Sequence, residues 1–393
     1  MARVDVHAHI PIIKNFMAIN FQPVENAFNE AVAQGVFPGA VVLVCKDEQV
    51  VFEKTFGNRS LLPQQNPMQS DTTFDLASLT KPMATTVAIM LLVREAKLRI
   101  DDKLTRILPT FGVFGKSLTT IRQLLNHSSG LAAWKPYHEE IVKMEKAGRI
   151  NFLVSRAAKN YVLEQIHRDK PLSAPGAQTL YSDLGFMVLA EAVETITSSG
   201  LDRFCQERIF KPLGLRSTGF VDLTELRKRR LQPVEAMIAP TENCPWRKKI
   251  LCGEVHDDNA YAMGGVCGHA GLFSSARDVH TFLLRMNRCL HGKDDFLPQS
   301  VVQEFFTRDT SVPNSTYALG WDTPSPANSS SGTLFSPRSV GHLGFTGCSM
   351  WWDLEKNCHV ILLTNRVHPS RKNEKIRDFR PQVHDLIMKA LFP

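Results

Sequence analysis

The sequence predicts an α/β (α+β) protein: one antiparallel five-stranded sheet, flanked by N- and C-terminal helices, with an inserted, mainly helical lobe. Three observations lead to this expectation. Strand-like segments occur near both ends of the 393-residue chain, most of the sequence between them has helical character, and one helix-like segment lies outside the strands at each end. We therefore expect both ends of the chain to complete a single sheet, with a cleft where the helical lobe joins it.

The N-terminal elements are a helix and a β-hairpin. Apolar residues recur with helical spacing from about Val24 to Gln34, which predicts an amphipathic helix ended by Gly35. Two strand-like runs follow, Gly39 to Cys45 and Val50 to Phe56, with a short polar turn between them. Two such runs joined by a turn predict a β-hairpin, which would form one part of the sheet.

The middle of the chain is mainly helical in pattern, and the C-terminal part returns to strands. Met83 to Val93 is apolar nearly all round, which predicts a buried helix, and Gly185 to Ile196 predicts another long helix. Three further strands are predicted at Ser339 to Phe345, Ser349 to Trp352 and Cys358 to Leu363. A helix from about Pro381 to Leu391, with the proline in its first turn, closes the chain.

These elements predict one domain with two lobes. Residues 1–20 form an N-terminal extension, and residues 21–393 form the domain. Its α/β lobe comprises about 21–80 and 265–393, and the inserted helical lobe comprises about 81–264. A chain of this length can build a large core of this kind.

Composition argues against several classes of function. Hydrophobic residues make up 43% of the chain and charged residues 22%, which is typical of globular proteins, and no apolar stretch is long enough for a membrane span. The basic clusters Arg227 to Arg230 and Arg247 to Lys249 are short and lack interleaved aromatic residues. The net charge of +7 therefore does not predict a nucleic-acid partner.

The expected location is cytoplasmic. The first residues include Asp5, His7 and His9 in place of a basic start and a long apolar core, so they do not resemble a signal peptide. The eight cysteines are scattered without a Cys-x-x-Cys pair, which predicts neither a zinc ribbon nor a disulfide framework. Such cysteines suit a reducing compartment.

Ser78-Leu79-Thr80-Lys81 is the most informative segment of the sequence. A serine hydroxyl is a poor nucleophile until a base takes its proton, and a lysine three positions later on a helix lies on the same face. Pro82 falls in the first turn of the predicted helix, where proline is tolerated. Free N–H groups at the helix start would stabilise an oxyanion, so the quartet predicts a serine nucleophile with a lysine as its proton partner.

Two other segments offer the remaining parts of a Ser–Lys site. Tyr181-Ser182-Asp183 stands before a long helix, and a tyrosine near a lysine can share or lose its proton and serve as a general base. Gly341 to Gly347 is a glycine-rich strand that a substrate backbone can approach, and the Phe345 N–H would supply an oxyanion donor. Taken singly, each segment is more typical of ordinary structure: a half-buried tyrosine with a satisfied hydroxyl, and a strand.

Together, the three segments resemble the serine β-lactamase-like and penicillin-binding protein family. Ser78-Leu79-Thr80-Lys81, Tyr181-Ser182-Asp183 and His342-Leu343-Gly344 match its three motifs in order and at similar spacing. The resemblance covers roughly Val24 to Leu391 and implies the β-lactamase/transpeptidase-like fold. The family includes class C β-lactamases, D-alanyl-D-alanine carboxypeptidases and related esterases. Supporting stretches are Leu124 to Leu131, Gly253 to Asp257 and Gly268 to Phe273.

The resemblance implies a role for each matching residue. Ser78 would be the acylated nucleophile, Lys81 its proton partner, and Tyr181 the general base or a proton shuttle. The N–H groups of Ser78 and Phe345 would form the oxyanion hole. No metal and no organic cofactor is implied for the reaction.

The second motif departs from the family pattern at Asp183, where asparagine is usual. A carboxylate cannot donate a hydrogen bond to a substrate amide carbonyl. It would instead hold Lys81 protonated and shift the role of base towards Tyr181. This departure disfavours amide substrates relative to esters.

The third motif departs from the pattern at Leu343. His342 and Gly344 would line the strand that aligns the substrate, but the family usually has a hydroxyl residue after the first position, where it binds a substrate carboxylate. Leu343 cannot do this, and Thr346 lies too far along the strand to be a sure substitute. Both departures weaken the case for D-alanyl peptides and β-lactams.

Two histidine-containing patterns also resemble metal sites. Asp5-Val6-His7-Ala8-His9 is similar to the metal-binding start of TIM-barrel amidohydrolases, but that architecture needs eight strand–helix units, which the predicted elements do not supply. His256, Asp257 and His269 fit no standard ligand spacing. We expect the second group to make hydrogen bonds that fix loops.

The sequence thus predicts a serine hydrolase that acts on a small-molecule ester, amide or peptide through an acyl-enzyme on Ser78. Carboxylic ester hydrolysis is the first expectation. The alternative is a D,D-carboxypeptidase or β-lactamase acting on D-alanyl peptides or β-lactams. A non-catalytic binding protein on the same fold is a further alternative, although Ser78, Lys81 and Tyr181 are all retained.

Overall fold

The computed structural model describes residues 19–393. Asp5, His7 and His9 therefore lie outside the described residues. Within the described range, the helices and strands follow the order that the sequence pattern predicts, with differences at particular boundaries.

The α-helices of residues 19–393 are numbered in chain order. They are α1 Gln22–Ala33, α2 Val87–Arg94, α3 Ile121–Leu125, α4 Tyr137–Lys146, α5 Arg156–Arg168, α6 Asp183–Thr197, α7 Leu201–Cys205, α8 Lys211–Leu213, α9 Leu223–Lys228, α10 Asp258–Ala262, α11 Ala276–Leu290, α12 Gln299–Phe306 and α13 Ile376–Leu391. Short 3₁₀ turns form at Ala77–Leu79, Leu104–Arg106 and Pro109–Gly112, and π-helical turns form at Lys81–Thr86 and Gln206–Phe210.

The strands of the same residues are numbered in the same way. They are β1 Gly39–Lys46, β2 Gln49–Ser60, β3 Asn66–Pro67, β4 Thr73–Asp75, β5 Gly219–Phe220, β6 Asn243–Cys244, β7 Lys249–Ile250, β8 Leu272–Ser275, β9 Ser339–Leu343, β10 Ser349–Asp353 and β11 Cys358–Thr364.

The central sheet is antiparallel and has the order β3-β2-β1-β11-β10-β9. The predicted α+β class and the antiparallel sheet completed by both ends of the chain are confirmed. The predicted number of five strands is wrong by one, because the two-residue β3 adds to the edge beside β2. A strand of two residues is too short to show the alternation by which a strand is recognised in a sequence.

The central strand β1 is buried on both faces of the sheet. Alternate side chains of a strand point to opposite faces, and both sets in β1 are apolar and buried. One set joins the core under α1 and α13, where Phe379 packs edge-on against Phe28 and Phe37 at ring distances of 5.2 and 5.3 Å. The other set joins the core under α11 and the helical part of the chain. The two sets are Ala40, Val42 and Val44, and Val41, Leu43 and Cys45.

Helix α13 begins earlier than its sequence pattern predicts. The predicted start at Pro381 is wrong, because the helix begins at Ile376 and the proline lies inside it. Proline inside a helix loses one backbone hydrogen bond and normally ends the helix. Here Ile376 and Phe379 are buried against the sheet, so tertiary packing extends the helix ahead of the proline.

Among residues 19–393, no single helix combines the length and the apolar composition needed to cross a membrane. Asp183–Thr197 and Leu201–Leu213 meet both criteria only as a pair, which is bent by 75° at the break between them. Many of their side chains are buried in the larger of the two cores.

Candidate active site

Ser78 lies on a strained turn that follows the short strand β4. Ala77, the preceding residue, has a positive φ of 48°, which is uncommon for a residue with a side chain. The carboxylate of Asp75 holds this turn by accepting a hydrogen bond from the Ala77 N–H at 2.8 Å. The turn continues as 3₁₀ at Ala77–Leu79 and as π-helix at Lys81–Thr86 before α2 begins. The sequence predicts an ordinary α-helix start at Ser78, whereas the structure has a left-handed residue followed by 3₁₀ and π-helical turns.

Asp75 ties the nucleophile turn to two other segments. Its second carboxylate oxygen accepts from the His256 N–H at 2.6 Å, and its carbonyl accepts from the Thr346 hydroxyl at 2.7 Å. Burial raises the pKa of Asp75, and the hydrogen bonds from the backbone oppose this. Thr346 is buried and bonded to Asp75, so its hydroxyl does not take the place that Leu343 leaves vacant in the third motif.

Lys81 is fully buried and faces three oxygens. Its Nζ lies 3.0 Å from Ser78 Oγ, 2.6 Å from Asp183 Oδ1 and 3.1 Å from the carbonyl oxygen of His269. A neutral amine has two N–H donors and one lone pair. With its donors on Asp183 and His269, the lone pair is directed at the Ser78 hydroxyl, which is the geometry of a general base.

The charge of Lys81 is set by two opposing effects. Burial lowers its pKa, because the buried ammonium loses hydration, and the nearby Asp183 carboxylate raises it. The contact with Asp183 expected from the sequence is present, but burial is the larger effect and the net shift is downward. The lysine is therefore closer to its neutral, proton-accepting form than the sequence suggests.

Tyr181 lines both cavities at Ser78, and its ring centre lies 4.8 Å from Lys81 Nζ. Burial and the Asp183 carboxylate raise the pKa of Tyr181 well above its usual value, which the contact with Ser78 only partly offsets. The side chain is thus held as the neutral phenol. Of the two roles that the sequence leaves open, this state favours a proton shuttle over a phenolate base.

The ring of His127 packs against the ring of Tyr181. Its Nδ1 accepts a hydrogen bond from the Ser182 N–H at 3.0 Å, and its ring centre lies 4.5 Å from that of Tyr181. Burial, followed by the Lys81 charge, lowers the pKa of His127 well below its usual value, so the ring is a neutral acceptor. The adjacent Ser182 caps α6, with its side chain accepting from the Gly185 N–H.

The edge strand β9 runs past Ser78. Gly344 follows it at a place where an added Cβ would lie 2.5 Å from the carbonyl oxygen of Leu76, so only glycine allows this approach to the nucleophile turn. His342 is buried and its Nδ1 lies 2.9 Å from the Leu343 carbonyl. Burial, with a smaller contribution from Lys81, lowers the pKa of His342 to about 3, so this position carries no positive charge at neutral pH.

Phe345 follows Gly344 and is clamped by Arg366. The Arg366 Nε donates to the Phe345 carbonyl at 2.8 Å, and its guanidinium lies 4.5 Å from the centre of the Phe345 ring. The other end of the guanidinium donates to the carbonyl of Arg371 at 3.1 Å. Within residues 19–393, the Phe345 N–H has no backbone acceptor, which leaves it free to bind an oxyanion.

Two cavities meet at Ser78. One, of about 340 Å³, extends along β9 towards α13, and the other, of about 360 Å³, extends towards α10. Ser78, Tyr181 and Phe345 line both of them. A bond attacked by Ser78 therefore has room on each side for a different part of the substrate.

The group of His256, Asp257 and His269 forms the wall of the cavity towards α10. Asp257 accepts from the His269 Nε2 at 3.1 Å and from the Ala260 N–H at 2.7 Å, at the start of α10. Burial alone would raise the pKa of Asp257. The interaction with His269 and the hydrogen bonds outweigh burial and lower this pKa, so Asp257 is a carboxylate. These are the loop-fixing hydrogen bonds that the sequence analysis expects.

The structure brings together all seven residues that the sequence singles out: Ser78, Lys81, Tyr181, Asp183, His342, Gly344 and Phe345 line or border the two cavities. Sequence reasoning missed Asp75, His127, Arg366 and Arg380. His127 lies in a stretch that supports the family resemblance, which was a signal for it. Asp75, Arg366 and Arg380 lie in segments without a recognisable motif, and only the folded structure brings them to the site.

A family model described as Beta-lactamase matches residues 24–384, and the chain belongs to this family. It is a serine hydrolase with the β-lactamase-like fold. A protein of Escherichia coli (strain K12), named "Putative D-alanyl-D-alanine carboxypeptidase", is 33% identical over 353 residues, which cover 84% of this chain and 79% of that protein.

Solved structures share the fold at lower identity. The octameric penicillin-binding protein homologue from Pyrococcus abyssi has a TM-score of 0.69 at 20% identity, covering 95% of this chain and 76% of that one. EstCE1, described as a hydrolase with promiscuous acyltransferase activity, has a TM-score of 0.66 at 22% identity, covering 91% and 97%. The predicted β-lactamase/transpeptidase-like fold is confirmed.

Proposed function

We propose that this enzyme hydrolyses small carboxylic esters through an acyl-enzyme on Ser78. The observation that carries the proposal is the position of Ser78 Oγ, 3.0 Å from a fully buried Lys81 Nζ and at the meeting point of two cavities. A nucleophile beside a base, with free oxyanion donors and space on both sides of the scissile bond, is the arrangement needed for acyl transfer.

In the proposed acylation step, the Ser78 hydroxyl attacks the ester carbonyl and its proton passes to Lys81. The oxyanion accepts hydrogen bonds from the N–H groups of Ser78 and Phe345. The C–O bond to the alcohol then breaks, and the alkoxide takes a proton through the phenol of Tyr181, which Lys81 replenishes. Asp183 and the His269 carbonyl stabilise the ammonium that Lys81 carries in between.

Deacylation repeats the sequence with water as the nucleophile. Water gives its proton to Lys81 or Tyr181 as it attacks the acyl carbon, and collapse of the second tetrahedral intermediate returns that proton to Ser78 Oγ. The products are the carboxylic acid and the free enzyme. The cycle consumes one ester and one water and gives one alcohol and one carboxylic acid, with Ser78, Lys81 and Tyr181 returned to their starting protonation.

The surroundings of Ser78 support esters over amides. Asp183 is an acceptor only and is already bonded to Lys81, so it has no donor for an amide carbonyl. The neutral His342 and the apolar Leu343 give the β9 edge neither the charge nor the hydroxyl that would bind a carboxylate. Esters need less of this assistance, because an alkoxide leaves more readily than an amide nitrogen.

A second candidate, D,D-carboxypeptidase activity, is supported by two buried arginines. Arg366 and Arg380 line the cavity towards α13, and within residues 19–393 neither forms an ion pair with a carboxylate. The Arg380 Nε is buried without a hydrogen-bond partner among these residues. A buried cation is costly unless it is paired, so this end of the cavity favours a substrate with a carboxylate.

One matched panel separates the two activities. The wild-type protein is incubated with p-nitrophenyl acetate and butyrate, with an acyl-D-alanyl-D-alanine peptide, with the same peptide as its C-terminal amide, and with a fluorescent penicillin. We expect ester turnover and an acyl adduct on Ser78 by mass spectrometry, both absent in Ser78→Ala. Release of D-alanine from the acid without release of D-alaninamide from the amide, and with no ester turnover, would replace the first candidate by the second. The absence of both turnover and an adduct with every compound would overturn both candidates and leave a binding protein.

A further inference from the structure

A second cluster of reactive side chains lies away from Ser78, between α11 and the central sheet. Cys45 in β1, His280 in α11 and His359 in β11 each present one metal-binding atom, and these atoms all lie within 4.8 Å of one another. The three residues are 1%, 7% and 4% exposed. They are 45, 280 and 359 positions into the chain, so the cluster is visible only in the folded protein.

The fold holds the three donors on one face of the sheet. Cys45 and His359 are directly opposite each other in the antiparallel pairing of β1 and β11, so their side chains point the same way. The pairing of β1 with β2 shifts register between Val44 and Cys45, which marks a local irregularity at the cluster. His280 comes from the helix that packs on this face.

The chemical state of the donors suits a cation. His280 Nδ1 and His359 Nε2 lie 2.8 Å apart, so they share one proton between two facing nitrogens. The nitrogen that accepts this shared proton presents a lone pair towards the cluster, which is what a metal ion binds. The buried Cys45 thiol would become a ligand once a cation displaces its proton.

Two carboxylates near the cluster are paired with arginines, so the donor atoms themselves, and not the surrounding charge, would attract a cation. The carboxylates of Glu48 and Asp47 act on Cys45, and that of Glu53 acts on His280. Glu48 and Glu53 are held nearby by ion pairs with Arg288 and Arg277, at 3.1 and 2.9 Å. One thiol and two imidazoles form a donor set that zinc accepts, and three protein ligands leave one position for water.

We propose that Cys45, His280 and His359 bind one zinc-type divalent cation that ties α11 to the central sheet. Binding releases the Cys45 thiol proton and the proton shared by the two rings moves to an outward-facing nitrogen. In a tetrahedral zinc site two imidazole nitrogens stand about 3.3 Å apart, so the rings need to separate by roughly half an ångström. The site is structural and separate from the catalytic residues.

The cation would affect the active site only indirectly, through the helix and strands that it holds together. Helix α11 directly follows β8, and β8 pairs with β4, the strand that leads into the Ser78 turn. Fixing α11 on β1 and β11 therefore stabilises the platform that carries Ser78. A ligand that binds only the folded state raises the melting temperature by an amount that grows with the logarithm of its concentration relative to its dissociation constant.

The test uses the full-length protein stripped with a chelator and titrated with Co²⁺, whose thiolate complexes have a charge-transfer absorption band. We expect one equivalent of Co²⁺ with this band, displaced by Zn²⁺, and binding weakened at least tenfold in Cys45→Ala and His359→Phe. Cys205→Ala removes a buried cysteine outside the cluster and is the matched control. His7→Ala/His9→Ala removes the other histidine pair that resembles a metal site, and it should bind as the wild type does.

Zinc K-edge absorption of the wild-type complex gives the ligand set without any variant. One sulfur and two imidazole nitrogens are expected, together with a higher melting temperature in Zn²⁺ than after stripping. Absence of the band in the wild type, an unchanged band in folded Cys45→Ala, or a zinc shell without sulfur would each overturn the proposal. These outcomes do not depend on whether Ser78 acts on esters or peptides.

Discussion

Asp183→Asn tests how the carboxylate beside Lys81 shapes both protonation and substrate choice. The Lys81 Nζ–Asp183 Oδ1 distance is 2.6 Å, the lysine side chain is fully buried, and the aspartate side chain is 17% exposed. Asparagine has nearly the same shape and keeps an oxygen for Lys81, so the change removes the charge and adds one N–H₂ donor. Charge-assisted hydrogen bonds are worth about 1.5–3 kcal/mol and neutral ones about 0.5–1.5 kcal/mol, so the ammonium form of Lys81 loses roughly 1–1.5 kcal/mol.

The first expected result is a change in pH dependence. Burial lowers the pKa of Lys81 and Asp183 opposes burial, so without the carboxylate this pKa falls further. If the neutral amine is the base, kcat/KM rises as pH increases through the Lys81 pKa. The acid limb of the pH profile should therefore move to lower pH in Asp183→Asn. The plateau for esters should fall by no more than about tenfold, the equivalent of 1.4 kcal/mol.

The second expected result is a change in selectivity. The new amide can donate to an amide carbonyl, and a neutral hydrogen bond of about 0.5–1.5 kcal/mol corresponds to roughly 2- to 12-fold. Both substrate classes use the same Lys81 chemistry, so its weakening cancels in the ratio. Acylation by a chromogenic cephalosporin relative to a p-nitrophenyl ester should therefore rise 2- to 12-fold.

Glu194→Gln is the matched control for both measurements. It removes the charge from another partly buried lysine–carboxylate pair, Lys159–Glu194, at 2.7 Å, with side chains 15% and 23% exposed. Its pH profile and selectivity should equal those of the wild type. An acid limb that stays in place in Asp183→Asn, or a selectivity ratio that falls, would refute the role assigned to this carboxylate.

Three further changes test Tyr181, Arg366 and a buried carboxylate, Glu242, that lies beside His256. Tyr181→Phe removes the phenol beside Ser78, so it should lower kcat about 10²- to 10⁴-fold with little change in KM. A kcat within tenfold of the wild type would exclude a proton-transfer role for Tyr181. Arg366→Lys loses the fork that fixes the Phe345 carbonyl and should lower kcat by up to about 100-fold, whereas a lower melting temperature at unchanged kcat would indicate a purely structural role. Burial opposes ionisation of Glu242, but the nearby His256 and the hydrogen bond from Arg371 outweigh it and lower its pKa to about 2. The stability it contributes is present above its unfolded pKa of 4.5 and lost as pH falls towards 2, so Glu242→Gln should flatten the acid limb of melting temperature against pH, and an unchanged limb would contradict this.

Most of the fold could be predicted from the sequence because its strands and helices carry strong local patterns. The hairpin of β1 and β2, the strands β9 to β11 and the buried residues of α2 were recognisable from runs of apolar residues, although α2 begins at Val87 and not at Met83. The start of α13 was not, since the burial of Ile376 and Phe379 against the sheet overrides the preference of Pro381. The two-residue β3 offered no pattern at all.

The residues of the candidate site also divide into those that the sequence indicates and those that only the fold brings together. Ser78, Lys81 and Tyr181 stand in short motifs whose spacing carries chemical meaning. The left-handed turn at Ala77 could not be predicted, because it depends on the Asp75 side chain and on segments far along the chain. For Lys81 the motif shows the partner Asp183, but not the burial that outweighs this partner and lowers the lysine pKa.

The pairing of β1 with β11 has a consequence for the timing of synthesis. Ala40 is hydrogen-bonded in register with Thr364, so the first long strand meets its central neighbour only after 324 more residues have been made. At about 5–20 residues per second, the apolar β1 waits roughly 15–65 s on the ribosome before this edge is covered. An exposed apolar strand edge invites pairing with other chains. Yield in a cell should therefore depend on chaperones that shield nascent chains, and slow translation of the middle of the gene would lengthen the period of risk.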